Sequence, residues 1–523
     1  MALFGSGAPD HPMASIRQAK QLIAELPAND PVKALDEVNF WLDSIRRTEG
    51  FKVDHRFELI DLLDQAARVH QRKLAQDYLA TDRQEKFREN KRWTSVFSFW
   101  KQLGDGYGQC VAQFQSGARG AGAIRKKLPA IVARALRAVT LQLKWDLLHY
   151  GPVEDRLWGE LGQLYLFAEA QRITSVAIEI YPDAQGEGTV QQEFLKAMLL
   201  GVSSTGGLTP LKQEIAERTV VHFGSLFTLQ ARPTAGCNDF FDLSMRTPPA
   251  RVMKGLDPNE MTRFFGAGKA LPALGHLIEE IKTNDAVPSR VNLGGMYDSS
   301  LVLSVMQHLA LYWSDKPPAR GSGRRKLATR ITVVHGFADV LRAIGPAAGG
   351  GLDFEQAAGT ESWIVENVSQ GGFGAVIPQV KGDWIKIGTI LAVQTKATPL
   401  WAAAIILRIA RDEYQLRHVG IQLLAQAVIP VRLAPAGSAS SANLQRDGEP
   451  GVLLSTSPDK HGEVALLLRG GSYAPGHALE MNVRGKQYQL TPRKLVQGGE
   501  DFDWAKFKVT QRAQGAALRA AMR

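Results

Sequence analysis

Along residues 55–79 apolar side chains recur three and four positions apart. Phe57, Ile60, Leu63 and Ala67 fall on one stripe, with Arg, Asp and Gln elsewhere. That spacing is the period of a helix burying one face. Residues 128–150 repeat it with Val132, Leu136, Val139 and Leu143, and Pro129 sits near the start, where a missing N–H does little harm. A third helix is predicted after Gly151-Pro152 on Leu157, Leu161, Leu164 and Ala168, and another over 299–312. Between 223 and 252 the pattern weakens around Pro233, Gly236, Pro248 and Pro249, which predicts irregular chain or short strands. Residues 14–313 therefore read as a mainly helical region.

The period then changes. A Pro-, Gly- and Ser-rich stretch at 314–323 reads as a linker. Beyond it, short β-branched and aromatic runs at 331–334, 363–368, 384–393, 401–409 and 418–424 are separated by turn residues, a pattern that suits a small barrel. A second loop-like stretch occupies 434–451. Five more runs, at 452–454, 464–468, 479–483, 487–490 and 502–509, predict a second small β-domain over 450–510, with Arg484-Gly485 marking a hairpin. The Ala- and Arg-rich tail from 513 to 523 reads as helical or frayed. The fold class expected is α+β multidomain: a large α-helical N-terminal region, then a β-barrel, then a second small β-domain.

Composition narrows the function classes. The chain has 523 residues, 45% of them hydrophobic and 22% charged, which excludes a disordered chain, a collagen-like fibre and a coiled-coil rod. At roughly 150 residues per domain, about three domains are expected. Two cysteines, Cys110 and Cys237, exclude a disulfide scaffold and point to a reducing, cytoplasmic setting. The net charge of +10 favours anionic partners without naming them. No stretch is apolar for long enough to span a membrane, since the best candidate, 401–410, is short and contains Arg408. The N-terminus has neither the basic start nor the apolar core of a secretory signal.

Catalytic signatures are missing. No G-x-S-x-G elbow and no H-x-x-x-H pair occurs, and Gly345–Gly351 lacks the Lys-Ser/Thr ending of a phosphate loop. The chain reads as a non-enzyme with no metal, no cofactor and no catalytic residue. Trp158-x-x-Leu161-Gly162-x-x-Tyr165 matches the opening of a tetratricopeptide repeat, but Thr174 and Ile178 stand where Ala and Phe belong. An ordinary amphipathic helix is the better reading.

One constellation carries chemistry. Arg320, Arg324, Arg325, Lys326 and Arg330 crowd the approach to the first barrel strand. Downstream, Asn367-Val368-Ser369-Gln370-Gly371-Gly372 follows the next strand. Guanidinium groups match phosphate oxygens and the O6/N7 edge of guanine, and they stack on bases. Asn367 and Ser369 offer short polar contacts, and the paired glycines let a ligand approach the backbone. A compact polyanionic nucleotide would suit this arrangement.

Taken together, these arginines, the Asn-x-Ser-x-x-Gly turn and the closing run Gly420-Ile421-Gln422-Leu423 resemble the PilZ domain family over about residues 320–430. The family's pattern is R-x-x-x-R before the first strand and [DN]-x-S-x-x-G after the next. Asn367, Ser369 and Gly372 fit the second motif in full, and Arg330 fits the second arginine. Lys326 stands four residues before Arg330, where the pattern has arginine, and Gly336 to Ser362 lengthens the gap between the motifs. The resemblance implies a PilZ-like β-barrel that binds the bacterial second messenger cyclic di-GMP. Its expected ligand-binding residues are Arg324, Arg325, Arg330, Asn367, Ser369 and Gly372. It further implies a signalling effector that rearranges its domains on binding and acts on an unidentified protein partner through the helical region, in motility or biofilm control. The alternatives are a nucleic-acid-binding protein, disfavoured because the strands lack interleaved surface aromatics, and a scaffold whose barrel binds no nucleotide.

Overall fold

The computed structural model describes residues 9–80, 86–181, 186–318, 323, 325–345, 360–378, 382, 384–395, 398, 400–437, 448–455, 457–483 and 485–511. The chain divides into two compact units, Met1–Ala319 and Arg320–Arg523. It is an α+β multidomain protein: helices dominate the first unit and two closed barrels make the second.

The first unit is built on α1 (Ile16–Ala24), α2 (Pro31–Arg47), α3 (Val53–Ala80), α4 (Lys86–Gln115), α5 (Leu128–Leu148), α6 (Asp155–Ala170), α7 (Val190–Val202), α8 (Pro210–His222), α9 (Ala270–Asn284) and α10 (Ser299–Trp313). Helix α5 is the centre. Pro129 sits in its first turn, as its missing N–H allows, and nearly every residue is buried. Several of its polar groups are paired inside. Lys144 Nζ lies 2.7 Å from both Glu214 Oε2 and Glu217 Oε2, and Arg134 reaches Asp61, the Tyr107 hydroxyl and the Ile180 carbonyl. A small antiparallel sheet, β1 (Thr228–Gln230), β2 (Asp239–Asp242), β3 (Ala250–Arg251) and β4 (Thr262–Gly266), in the order β1-β4-β2-β3, occupies the stretch where the helical pattern weakens. It also accounts for the repeat-like run on α6. Trp158 packs near Phe241, and a side chain at Gly162 would collide with the Leu243 carbonyl beside β2.

The second unit begins with β5 (Arg325–His335), α11 (Phe337–Ile344), β6 (Glu361–Ser369), β7 (Gly372–Ile377), β8 (Ile390–Thr395), β9 (Ala402–Arg411) and β10 (Arg417–Ala425). The strands close as β10-β7-β6-β5-β8-β9, all neighbours antiparallel. Ile331, Val333, Trp363, Val365, Ala375 and Ile421 are buried and alternate with outward residues, the two-residue period of a strand. The run read as 384–393 becomes a strand only from Ile390. Trp384 instead stacks on His335, with centroids 3.8 Å apart, and its indole donates to Glu361 Oε1 at 3.0 Å. Helix α11 occupies part of the gap between the two motifs.

The second barrel comprises β11 (Ile429–Pro435), β12 (Glu449–Leu453), β13 (Glu463–Arg469), β14 (Leu479–Val483), β15 (Lys486–Gly498) and β16 (Phe502–Gln511), closing as β11-β12-β13-β16-β15-β14. Its first strand therefore lies ahead of the 450–510 range expected from the sequence. Pro430 and Pro435 disguise it, although Val431 and Leu433 alternate inward as strand residues should. A shared core joins the barrels: Val334, Phe337, Val340, Ile390 and Ile405 pack with Val452, Leu467 and Phe502. Residues 438–447 and the tail from 512 lie outside the described residues.

Candidate nucleotide site on the first barrel

The Asn-x-Ser-x-x-Gly motif forms the β6–β7 corner. Ser369 pairs with Gly372 across a two-residue turn of Gln370 and Gly371, and Ser369 Oγ donates to the Gly372 carbonyl at 3.3 Å. The turn is tied to β10, because the Leu423 N–H donates to the Gly371 carbonyl at 2.9 Å. Gly372 is required here: any Cβ would run into the Ile421 carbonyl oxygen.

Strand register decides what shares the face with Asn367. A β-bulge between Lys326 and Thr329 sets Lys326 opposite Asn367 and Arg325 opposite Val368. Paired residues point to the same side of a sheet, and successive residues to opposite sides. Lys326 therefore shares the outer face with Asn367, and Arg325 starts the strand one step nearer the corner.

On the other side Asn367 pairs with Gly374. A Cβ on Gly374 would lie 2.7 Å from both the Oδ1 and the Nδ2 of Asn367, so the amide lies directly over that glycine. Gly374 pairs with Gly420, and Gly420 pairs with Arg408. The row Lys326–Asn367–Gly374–Gly420–Arg408 thus crosses five strands on the outside of the barrel. Its middle is a floor of two glycines, of which Gly374 is buried under the Asn367 amide and Gly420 is partly exposed. With strands about 5 Å apart, Asn367 and Arg408 stand roughly 15 Å from each other. Arg325, Lys326 and Arg408 are exposed, and none makes a hydrogen bond or ion pair with a described residue. A glycine floor between an amide and such cations has a shape and charge that suit a flat, anionic ligand.

The structure gathers Asn367, Ser369 and Gly372 at one corner, whereas Arg325, paired with Val368 at the end of β5, falls on the opposite face from Asn367. It places Arg330 elsewhere. Arg330 pairs with Ile364, donates to Ser362 Oγ at 3.4 Å, and lines an open cleft of about 450 Å³ with Thr332, Gln394 and Thr395. Arg320 and Arg324 lie outside the described residues. Gly374 and Arg408 escape sequence reasoning, and Gly420 enters it only as part of a closing strand. The one trace of the floor in the sequence is a glycine at every second place, Gly372 and Gly374, where strand propensity argues against it.

Beside the floor, His418 on β10 faces two carboxylates. Its Nδ1 is 3.2 Å from Glu366 Oε2 and its Nε2 is 3.0 Å from Asp412 Oδ2. Burial alone would lower this imidazole, but hydrogen bonds to Asp412 and Glu366 raise it above its ordinary value.

Residues 17–234 match the family described as the N-terminal domain of the cyclic-di-GMP receptor FimW. The match covers less than half of the chain and lies wholly within the helical unit. It therefore falls on a different part of the sequence from the motifs at 320–430. No curated protein matches the chain. Among the described residues, no helix is long and apolar enough to cross a membrane.

Proposed function

We propose that this protein is a cyclic di-GMP-binding signalling effector whose first barrel holds the nucleotide on its outer face. The observation that carries the reading is the row Lys326–Asn367–Gly374–Gly420–Arg408, in which the Asn367 amide covers the buried Gly374, Gly420 carries no side chain, and the cations at either end form no side-chain hydrogen bond or ion pair with a described residue. Cyclic di-GMP brings two phosphodiester charges and two flat guanines. In this reading, Gly420 lets the ligand lie against the strands, and Gly374 gives the Asn367 amide its place beside it. Lys326 and Arg408 neutralise phosphate, Asn367 and Ser369 contact a base edge or phosphate, and Gly372 fixes the corner. Arg324, Arg325 and Arg330 belong to the lead-in that closes over the ligand, with Arg330 turning in from its place beside Ser362. The helical unit, whose residues 17–234 match a cyclic-di-GMP receptor domain, supports the same reading independently. A receptor role is one of binding, and the chain is read as a non-catalytic protein with no cofactor beyond its regulatory ligand.

Ligand binding at the lead-in then changes the arrangement of the helical unit and the barrels, and the helical unit carries the output to a protein partner. That is a ligand-driven switch acting between two folded bodies. Motility and biofilm control are the outputs that this class implies, in a cytoplasmic protein.

The test is calorimetric titration of purified protein with cyclic di-GMP, GTP and a single-stranded oligonucleotide, repeated on Gly420→Val. Gly420 has ordinary backbone angles, and a Cβ placed on it would have Arg408 Cβ as its nearest neighbour, at 3.3 Å, so the fold should survive. Selective cyclic di-GMP binding, weakened at least tenfold in the variant, is expected. Salt-sensitive oligonucleotide binding alone would favour the nucleic-acid reading. No binding at all would favour the scaffold.

A further inference from the structure

Glu366 occupies the bulge between Val365 and Asn367 on β6, immediately beside the amide that covers Gly374. His418 lies on β10, two residues before Gly420 and on the same face. Strand β7 runs between them: Val376 pairs with Ile364 on one side and with His418 on the other. The Glu366–His418 contact therefore passes over β7 and fences one side of the glycine floor. Asp412, at the far end, is locked in the β9–β10 turn, because its Oδ1 accepts the N–H groups of Tyr414 and Leu416, each at 2.9 Å.

This geometry specifies a protonation state. A neutral imidazole has one N–H and can serve only one carboxylate, whereas the other ring nitrogen would present a lone pair to the second. Imidazolium alone donates to both. Among the elements packed around His418, strand β7 contributes the uncharged Val376, and β9 contributes Ala410 and, at the next outward position, the Arg408 cation opposite Gly420, which forms no ion pair with Glu366 or Asp412. Arg417 pairs with Arg411 on one side and with the buried Ile377 on the other, so both arginines belong to the opposite side of the sheet. Asn367, moreover, is neutral, so Glu366 is the carboxylate nearest the floor along β6.

We propose that His418 is a positioning residue for the nucleotide site, holding Glu366 off the floor while protonated, so that affinity for the anionic ligand falls as pH rises. This rests on the cyclic di-GMP reading above. With His418 charged, the Asp412–His418–Glu366 chain carries one net negative charge. After proton loss it carries two, and Glu366 is released beside the phosphates. The imidazole is raised, so the loss comes above its ordinary value rather than below it. By linkage, an anion bound on the floor holds the proton on His418 more tightly.

Cyclic di-GMP affinity is to be measured from pH 6 to pH 9 on the full chain, in wild type, His418→Gln, His418→Lys and Glu366→Gln, with circular dichroism of each. Wild type should lose about fivefold across that range, the scale of one partly screened charge contact. His418→Gln should bind weakly and without that slope. His418→Lys, which keeps a cation, should restore the low-pH affinity and hold it to high pH. Glu366→Gln should flatten the profile at the tight end, and it stands as the decisive variant if the histidine variants misfold. A slope that is identical in wild type and Glu366→Gln overturns the inference while leaving the site intact. Absence of cyclic di-GMP binding at every pH, in every form, overturns the site reading and this inference with it.

Discussion

At the residue scale, most of the chain's ionisable chemistry is structural, and Asp146 is the clearest case. It is pushed up to about 7, first by burial and then by the neighbouring Glu154 charge, and its Oδ2 is buried with no hydrogen-bond partner among the described residues. The folded chain therefore holds a proton between about pH 4 and pH 7 that an unfolded chain would release. Stability falls as pH rises through that window. Asp146→Asn should be close to wild type near pH 4 and more stable by roughly 4 kcal/mol at pH 8, in urea denaturation at the two pH values. The contiguous motif residues of the proposed nucleotide corner, Asn367, Ser369 and Gly372, are legible in the sequence because a single turn holds them together. Gly374, Gly420 and Arg408 are not, because three strands separated along the chain meet only through register, and a one-place slip would put any of them on the inside. Lys326 is similarly hidden. Alternation back from the inward Ile331 puts Lys326 on the outer face, but only the bulge before Thr329 sets it opposite Asn367.

At the scale of elements, long periodic helices are the easiest to read. Residues 128–150 announce α5 by spacing and by Pro129, and the structure places it over Leu128–Leu148. What periodicity cannot reveal is that the polar positions of such a helix are buried too. Lys144 is the example, held between Glu214 and Glu217 on α8. Burial alone would raise Glu217, but the Lys144 ammonium, then Arg218, hold it well below the usual carboxylate range. This depressed carboxyl stabilises the fold above the ordinary glutamate pKa, and the contribution is lost as pH falls below it. Lys144→Met should destabilise the helical unit by about 3–5 kcal/mol at pH 7, because two buried carboxylates lose their common partner. The deficit should shrink on acidification toward pH 4, in chemical denaturation followed by helical circular dichroism. Short strands are harder. β11 escapes because Pro430 and Pro435 read as loop, although a proline at a strand end or on an outward register position leaves the inward Val431 and Leu433 free to pack. The overlong strand expected from 384 fails for the opposite reason: Trp384 finds its partners in His335, Trp363 and Glu361 rather than in a ladder.

At the scale of the molecule, the two observations that point to a cyclic dinucleotide effector sit on different units. The family match belongs to the helices, and the exposed cations and the glycine floor belong to the first barrel. The barrels themselves are tied to each other. They share an apolar core through Phe337 and Val340 of α11, the Phe337 N–H donates to Asp501, and Lys386 lies 3.0 Å from Glu500. A ligand on the first barrel would therefore act on a body of both barrels. The most direct measurement is hydrogen exchange of the full chain with and without cyclic di-GMP. Amides of the lead-in from 323 to 330, of the corner from 367 to 374 and of the closing strand from 418 to 422 should slow on ligand addition. Unchanged exchange in all three, or slowing confined to residues 17–234, would contradict the placement of the nucleotide on the barrel.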